Sequence, residues 1–477
     1  MAANENKISL KLMVHKEKLK VAFAEADYTF VDTLFSIMTW PMATIVRVLD
    51  KCPDQNLQAL GSLKNLYQSL EELPASYFSN EDSKFMMLNP TTSAYDLCRN
   101  LKLNIDDSEP TKCFICQNSN CSENRGIYFS NSSVARCPSC SKLMNREIHS
   151  TNSVSRIFDD PGMFVPSLTT FIVTDDLRVM PNTLYSSVRL LCDLGITDAS
   201  QLEERTFDIG REQMVILVKA ALLCKNPLTF MVFHSIRFSG GLVNPKMGTS
   251  IQISTSNEED TKLKKMTLRV SWQKSTSKFL FAEANEDFVD FIFGFLEIPL
   301  GTLVGKLMNG NTSIECLNNL FSSISNMSVG DSIKSQELKG MLIQPQLVLK
   351  YVSENQIFPL NVPNSFEYTL PGWRKRTLRD PRVNGRFLKA ATKYILTDDL
   401  VITPLSSISG ISMLNKLKVP LNDVEQHEVR IGIEKGLKIL KASLRSSSTF
   451  TDALLEEIIE SKKNDGVQEG VILLKSN

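Results

Sequence analysis

Phe23-Ala24-Glu25-Ala26 followed by Phe30-Val31-Asp32 reappears as Phe281-Ala282-Glu283-Ala284 followed by Phe288-Val289-Asp290. The internal spacing is the same, and the two stretches stand 258 positions apart. Upstream of the first, Ile8, Leu10 and Leu12 alternate with polar side chains; the charged run 16–20 intervenes, and Val21, Phe23 and Glu25 resume the period of two. Alternation on both sides of a polar turn predicts a β-hairpin. Met266, Leu268 and Val270, with Phe279 and Phe281, predict the same hairpin again. Downstream, Phe30, Val31, Leu34, Phe35 and Met38 lie on one face of a helix, as do Phe288, Val289, Ile292, Phe293 and Leu296. Trp40-Pro41 and Ile298-Pro299 should end these helices, because the residue before a proline is pushed toward extended geometry. Pro41 can then open the next helix, where its missing N–H costs nothing.

The pairing continues outward. Thr302 matches Thr44, and Leu317, Asn319, Leu320, Phe321 and Ile324 match Leu63, Asn65, Leu66, Tyr67 and Leu70. Met341 and Pro345 answer Met86 and Pro90. Further on, Phe171-Ile172-Val173-Thr174-Asp175-Asp176-Leu177 has its twin in Tyr394-Ile395-Leu396-Thr397-Asp398-Asp399-Leu400, and Pro181 its twin in Pro404. Helical patterns follow in both: Val188, Leu191 and Leu194 against Ile411, Leu414 and Leu417, then Val215, Leu217 and Lys219 against Ile431, Ile433 and Lys435. The chain therefore reads as a tandem duplication. The expected fold class is α+β, in two homologous halves, each joining a β-hairpin–helix module to a second small α/β module. The first half spans a hairpin–helix module at 1–100, a cysteine-bearing connector at 101–150 and a second module at 151–238. A linker rich in Gly, Ser, Asn and charge occupies 239–262, and within it 248–254 can form a short strand. The second half repeats the order as 263–345, a basic connector without cysteine at 346–390, and 391–477.

These paired segments, the Pro-x-x-Thr step, the Asn-Leu-Tyr helix, Asn104-Ile105-Asp106-Asp107, the CxxC pair and the Thr-Asp-Asp-Leu segments together resemble a family of plant proteins known as domain of unknown function 674. The resemblance covers nearly the whole chain and extends to the tandem arrangement usual for that family. It implies nothing about activity. The second copy has no cysteine cluster, so any metal feature of the family carries over to the first copy alone.

The chain has 477 residues, enough for about three domains and for more than one hydrophobic core. Apolar content of 42% and charged content of 22% are ordinary globular values. Lys plus Arg and Asp plus Glu both number 53, so only a local patch can attract nucleic acid or an anionic membrane. No secretory apolar region and no run of about eighteen apolar residues is present, which gives the expectation of a soluble protein of the cytoplasm or nucleus with no membrane partner. Ten cysteines in such a setting point to thiols and a metal site rather than disulfides.

Cys113-Phe114-Ile115-Cys116 and Cys137-Pro138-Ser139-Cys140 are separated by twenty residues, the pattern of a tetrahedral Cys₄ zinc ribbon. Ile127, Tyr128 and Phe129 have the β character that the hairpin between the knuckles needs. The expected ligands of a structural Zn²⁺ are Cys113, Cys116, Cys137 and Cys140, with Cys121 and His149 as the competing choices. Four protein ligands would close the coordination shell, which argues against zinc hydrolysis.

The second connector instead carries Trp373, Arg374, Lys375 and Arg376, followed by Arg379, Arg382, Arg386, Lys389 and Lys393. Basic residues beside a tryptophan suit contact with phosphate, RNA or a protein partner; with zero net charge the preferred reading is a solvated loop or a face paired with acids from the other half. Glu25, Asp32, Glu283 and Asp290 are carboxylates common to both copies; the reading preferred over acid–base catalysis puts Glu25 at a strand end and Asp32 in the first turn of a helix, favoured by its dipole. Asp175-Asp176 and Asp398-Asp399 read as hairpin turns. The four histidines share no pattern, and no GxSxG, HExxH, Walker or GxGxxG motif occurs. The leading expectation is a non-catalytic, zinc-binding interaction scaffold. The alternatives are nucleic-acid binding through the ribbon and the 374–393 cluster, and an enzyme with an unfamiliar site between the halves.

Overall fold

Each expected hairpin forms, and each grows into a five-stranded sheet. The computed structural model describes residues 7–51, 60–91, 94–109, 112–121, 128–148, 160–237, 266–346, 353, 355–360, 367–368, 376–382 and 385–454. The linker at 239–262, with its short strand, the end of the chain beyond 454, and His149 lie outside these residues.

In the first half the order is β1 (Ile8–His15), β2 (Lys20–Ala26), α1 (Tyr28–Ser36), α2 (Met42–Asp50), α3 (Leu63–Glu72), α4 (Glu81–Leu88), α5 (Tyr95–Cys98), β3 (Cys113–Ile115), β4 (Tyr128–Phe129), β5 (Arg146–Ile148), β6 (Phe171–Thr174), β7 (Val179–Pro181), α6 (Leu184–Asp193), β8 (Leu202–Ile209), α7 (Arg211–Leu223) and α8 (Pro227–Arg237). The second half runs β9 (Met266–Gln273), β10 (Phe279–Asn285), α9 (Glu286–Phe293), α10 (Glu315–Asn326), α11 (Gln336–Ile343), β11 (Glu367–Tyr368), β12 (Arg376–Leu378), β13 (Lys393–Leu396), β14 (Ile402–Pro404), α12 (Ser407–Leu417), β15 (Val424–Ile431) and α13 (Ile433–Ser443). Among the described residues no helix is long and apolar enough to cross a membrane.

The first sheet has the order β7-β6-β2-β1-β8 and the second β14-β13-β10-β9-β15, the same arrangement twice. This corrects the expected division into modules. The strands of 151–238 are not a separate unit: β6 pairs with β2 and β8 with β1, extending the opening hairpin on both edges. The strands of 391–477 do the same for β9 and β10. A lone two-stranded hairpin is marginal in water, and strands added at both edges complete the backbone pairing that it leaves open. Ile431, expected in a helix, is the last residue of β15.

The paired sequence motifs meet one another at the junction of the halves. Pro41 and Pro299 form an antiparallel bridge; the Met42 amide donates to Ile298 O at 3.1 Å and the Leu300 amide to Trp40 O at 2.9 Å. Helix α3 lies against the β13–β14 hairpin of the other half: Asn65 Nδ2 donates to Asp399 O at 2.9 Å, and Ser69 Oγ accepts the Ile402 amide at 2.9 Å. Helix α10 returns the contact on β6–β7: Asn319 Nδ2 donates to Asp176 O at 2.9 Å, and Ser323 Oγ accepts the Val179 amide at 3.0 Å. Even the helix starts correspond. Ser62 Oγ donates to Ser446 O at 2.6 Å, and Cys316 Sγ donates to Cys224 O at 3.3 Å. One continuous apolar core runs through both halves, from Leu10 and Phe30 to Leu268 and Phe288.

Candidate metal centre

The connector between α5 and β6 is shaped by turns. Strand β3 pairs with β5, and Phe114 exchanges both backbone hydrogen bonds with Ser130, at 2.7 and 2.8 Å. Beyond β3 the run Gln117-Asn118-Ser119-Asn120 supplies turn residues, and the Cys121 amide closes onto Asn118 O at 3.0 Å. A second tight turn is closed by the Ser141 amide on Cys137 O at 2.8 Å and by the Cys137 amide on Lys142 O at 2.9 Å. Ser141 adopts φ +58° there. The Gln117 amide then bonds Leu143 O at 3.1 Å, which ties the two turns together.

The side chains gathered by these turns are Cys116, Cys121, Cys137 and Cys140, whose sulfurs all lie within 4.8 Å of one another. Cys116 and Cys140 approach to 3.5 Å. Cys116 and Cys137 are buried beside Ala135 and Met144, while Cys121 and Cys140 are half-exposed. In each turn an amide two residues on points at a sulfur: Asn118 N–H at Cys116 Sγ, 3.4 Å, and Lys142 N–H at Cys140 Sγ. The Lys142 amide draws the Cys140 thiol below its ordinary value, whereas burial pushes Cys116 up. Four convergent sulfurs, two of them with amides already placed to stabilise a thiolate, can hold one soft metal ion.

Three of the four expected ligands are in this set, and Cys113 is not. The first knuckle is Cys116-x₄-Cys121 rather than Cys113-x₂-Cys116. Cys113 sits within β3, where side chains two apart share a face, so it packs with Ile115, Phe129 and Leu378. Burial pushes its thiol up to about 11, as suits a small core hydrophobe. Cys-Phe-Ile reads as strand and Gln-Asn-Ser-Asn as turn, and a metal knuckle needs the turn; that difference was the available signal for Cys121.

The basic cluster is partly taken up by the fold. Trp373, Arg374 and Lys375 lie outside the described residues, and Arg376 opens β12. Strand β12 runs parallel to β4, joining the cysteine connector to the second half; the Arg379 amide donates to Phe129 O at 2.7 Å and Ser130 Oγ to Arg379 O at 3.0 Å. The Arg379 side chain is exposed. Arg382, expected at a contact surface, is buried: its guanidinium lies 4.3 Å from the Phe387 ring centroid and pairs with Asp380 at 3.0 Å. A cation held over an aromatic face and matched by a carboxylate is not presented to phosphate. Arg386 pairs with Glu286 and Asp287, at 3.4 and 3.2 Å.

The shared carboxylates tie the chain together. Asp32 is buried at the fifth position of α1, past the first turn expected for it, and accepts the amides of Met163, Phe164 and Val165 at 2.6, 2.8 and 3.0 Å. Asp290, at the matching place in α9, accepts Ser353 Oγ and the Phe387 amide and so holds two distant parts of the second connector. Glu25 and Glu283 are strand residues beside Lys11 and Arg269, at 4.0 and 3.9 Å. Asp175-Asp176 and Asp398-Asp399 do form hairpin turns, with Leu177 and Leu400 at φ +62° and +60°. Asp175 also accepts the Thr229 amide at 2.8 Å near the start of α8, and Asp398 the Thr451 amide at 2.8 Å.

Burial pushes both Asp32 and Asp290 up to about 6, against the pull of the donors around them. The folded carboxyl therefore keeps its proton to higher pH than the unfolded one, whose ordinary value is 3.8. Its favourable share of stability is complete below about pH 4 and is lost as pH rises through about 6. Asn at 290 cannot titrate, so the stability of the native chain relative to Asp290→Asn is expected to fall between pH 4 and 7, by up to about 3 kcal/mol. Calorimetric melts of both proteins across that range test this; a constant difference contradicts it.

Fold and site together define a mixed α/β protein with a four-thiol cluster on one connector. Residues 4–434 match the family described as "Protein of unknown function (DUF674)", and the chain belongs to that family. No curated protein and no solved structure matches it.

Proposed function

We propose that the protein is an intracellular, non-catalytic scaffold of two homologous halves, braced by a structural zinc ion, that presents surfaces to other macromolecules. The observation that carries the metal is the convergence of four sulfurs within 4.8 Å. Tetrahedral zinc with Zn–S of about 2.3 Å places its sulfurs about 3.8 Å apart, a small closure from this geometry. Four thiolates fill the shell, so the ion would hold structure rather than activate water. Homology of the halves is supported by the repeated strand order and by matched residues that perform matched contacts. The scaffold reading is supported by how the shared polar residues are used: Asp32, Asn65 and Asp175, with their counterparts, spend their hydrogen bonds on the fold itself. Nucleic-acid binding is the weaker reading, because Arg382 and Arg386 are matched by internal carboxylates.

Elemental analysis of the purified full chain is expected to find about one zinc per chain. Cys116→Ser, Cys121→Ser, Cys137→Ser and Cys140→Ser should each lower that content, while Cys113→Ser should keep it. A folded, metal-free native chain, or loss of metal from the Cys113 variant alone, would overturn the assignment.

A further inference from the structure

The start of α10 lies against the end of α7, and that contact between the halves carries two cysteines. Cys316 Sγ donates to Cys224 O at 3.3 Å, and the neighbouring residues pair as well, Lys225 Nζ with Glu315 Oε2 at 3.0 Å. A sulfur that already touches the other residue's backbone sets the two α-carbons near the span of about 4.4–6.8 Å that a disulfide bridges. The Cys224 sulfur rests on Ala220 O at 3.2 Å, a weak bond that a turn about χ1 gives up. Of the ionisable groups around Cys316, the Cys224 thiol acts on it most strongly, ahead of Asp176, Glu315 and Asp175. The matched contact in the other half holds no sulfur. Ser62 and Cys316 stand directly before Leu63 and Leu317, and Ser446 and Cys224 each stand fourteen residues past Gly432 and Gly210. Ser62 Oγ donates to Ser446 O at 2.6 Å, so two hydroxyls serve the geometry that two thiols serve here. The hydrogen bond asks nothing of the side chain at 224, which gives only its carbonyl. Sulfur at both ends permits a covalent bond that a pair of hydroxyls does not.

We propose that Cys224 and Cys316 form a reversible disulfide that clamps the first half to the second, with a peroxide as the oxidant. Cys224 is half-exposed and Cys316 buried, so Cys224 is the end that hydrogen peroxide reaches. Its sulfur attacks the O–O bond and becomes a sulfenic acid as one water leaves. Cys316 then attacks that sulfur; the S–O bond breaks, the S–S bond forms and a second water leaves. Two thiols give up two electrons and two protons, and one peroxide becomes two waters. Burial pushes both thiols above their ordinary value, so few are ionised at neutral pH and the link forms slowly, under sustained oxidant. A reducing thiol reverses it by exchange.

Hydrogen peroxide added to the folded full-length chain, followed by alkylation of the remaining thiols, trypsin and mass spectrometry, tests this. Residues 220–225 and 307–334 are expected as one linked species, two hydrogens lighter than the two peptides together, and dithiothreitol should separate them. The bond closes a loop across 92 positions. The gap in melting temperature between the native chain and Cys316→Ser should therefore widen by about 5 °C on oxidation and close again with dithiothreitol. Exposed Cys192 reports the dose. Once Cys192 is fully oxidised, a Cys316 still open to alkylation in denaturant would overturn the proposal. So would a Cys224 carried on to sulfinic acid or joined to another thiol, or a melting gap that does not widen.

Discussion

Cut within residues 239–262 and produced as two polypeptides, the protein is expected to reassemble into a stable 1:1 complex, with neither piece folding by itself. The reason lies in which half each helix serves. Helix α3 belongs to the first half in sequence, yet its Asn65 and Ser69 bond the β13–β14 hairpin of the second. Helix α10 belongs to the second, and its Asn319 and Ser323 bond β6–β7 of the first. Separation strips each of those hairpins of its cover. It also exposes Trp40 and Ile298 at the Pro41–Pro299 junction, both now almost fully buried. Burying a side chain of that size is worth about 1.5–3 kcal/mol, and each lost hydrogen bond about 1 kcal/mol. The four cross-half bonds named here and those two side chains together rival the 5–15 kcal/mol by which a domain is ordinarily stable. Co-expression with one tagged piece, followed by circular dichroism of the pieces alone and together, measures the effect. A cooperative melt from either isolated piece would show that the interlock is dispensable.

The matched positions stand out in the sequence because they are residues with geometric duties. Pro41 and Pro299 form the junction, Asn65 and Asn319 reach across it, and Asp32 and Asp290 pin connectors. That these residues meet across the halves has no local signature, since the Asn65–Asp399 contact spans 334 positions. Strands β8 and β15 escaped for a different reason. Leu202-Glu203-Glu204-Arg205-Thr206-Phe207-Asp208-Ile209 is an edge strand with half its side chains exposed, so its charges hide the alternation by which a strand is recognised. At the cysteines, a spacing rule chose Cys113 where backbone reasoning chooses Cys121. A CxxC pair makes a knuckle only if the chain turns between its members, and Phe114-Ile115 continue a strand instead. The basic run from Arg374 allowed both a contact surface and internal pairing, and composition could not show which of its members turn inward; Arg382 does, finding Asp380 and Phe387 inside the fold.

Removal of the proposed zinc ion is expected to melt the cysteine connector while leaving both large sheets intact. Little else holds its turns. The second cysteine pair is enclosed by Ala135 and Met144, and β3 rests on a small cluster of Ile115, Phe129 and Leu378. Structural zinc contributes on the order of 10–16 kcal/mol of folding free energy in small peptides, and even a tenth of that changes local opening about tenfold. Hydrogen exchange resolves where the loss falls. The amides of Gln117, Cys137, Ser141 and Met144, now bonded within the two turns, should lose most of their protection after a chelator. The Arg379 amide should follow, because its acceptor is Phe129 O at the end of β4. Amides between β1 and β2 and between β9 and β10 should be unaffected, since those sheets are built on the common core and touch no cysteine ligand. A connector that keeps its protection after the metal is shown to be gone would mean that its turns are self-sufficient. In that case the four sulfurs would be neighbours by packing, and the cysteine connector would be tied to the second half by the β4–β12 pairing and the adjoining Arg379 bonds.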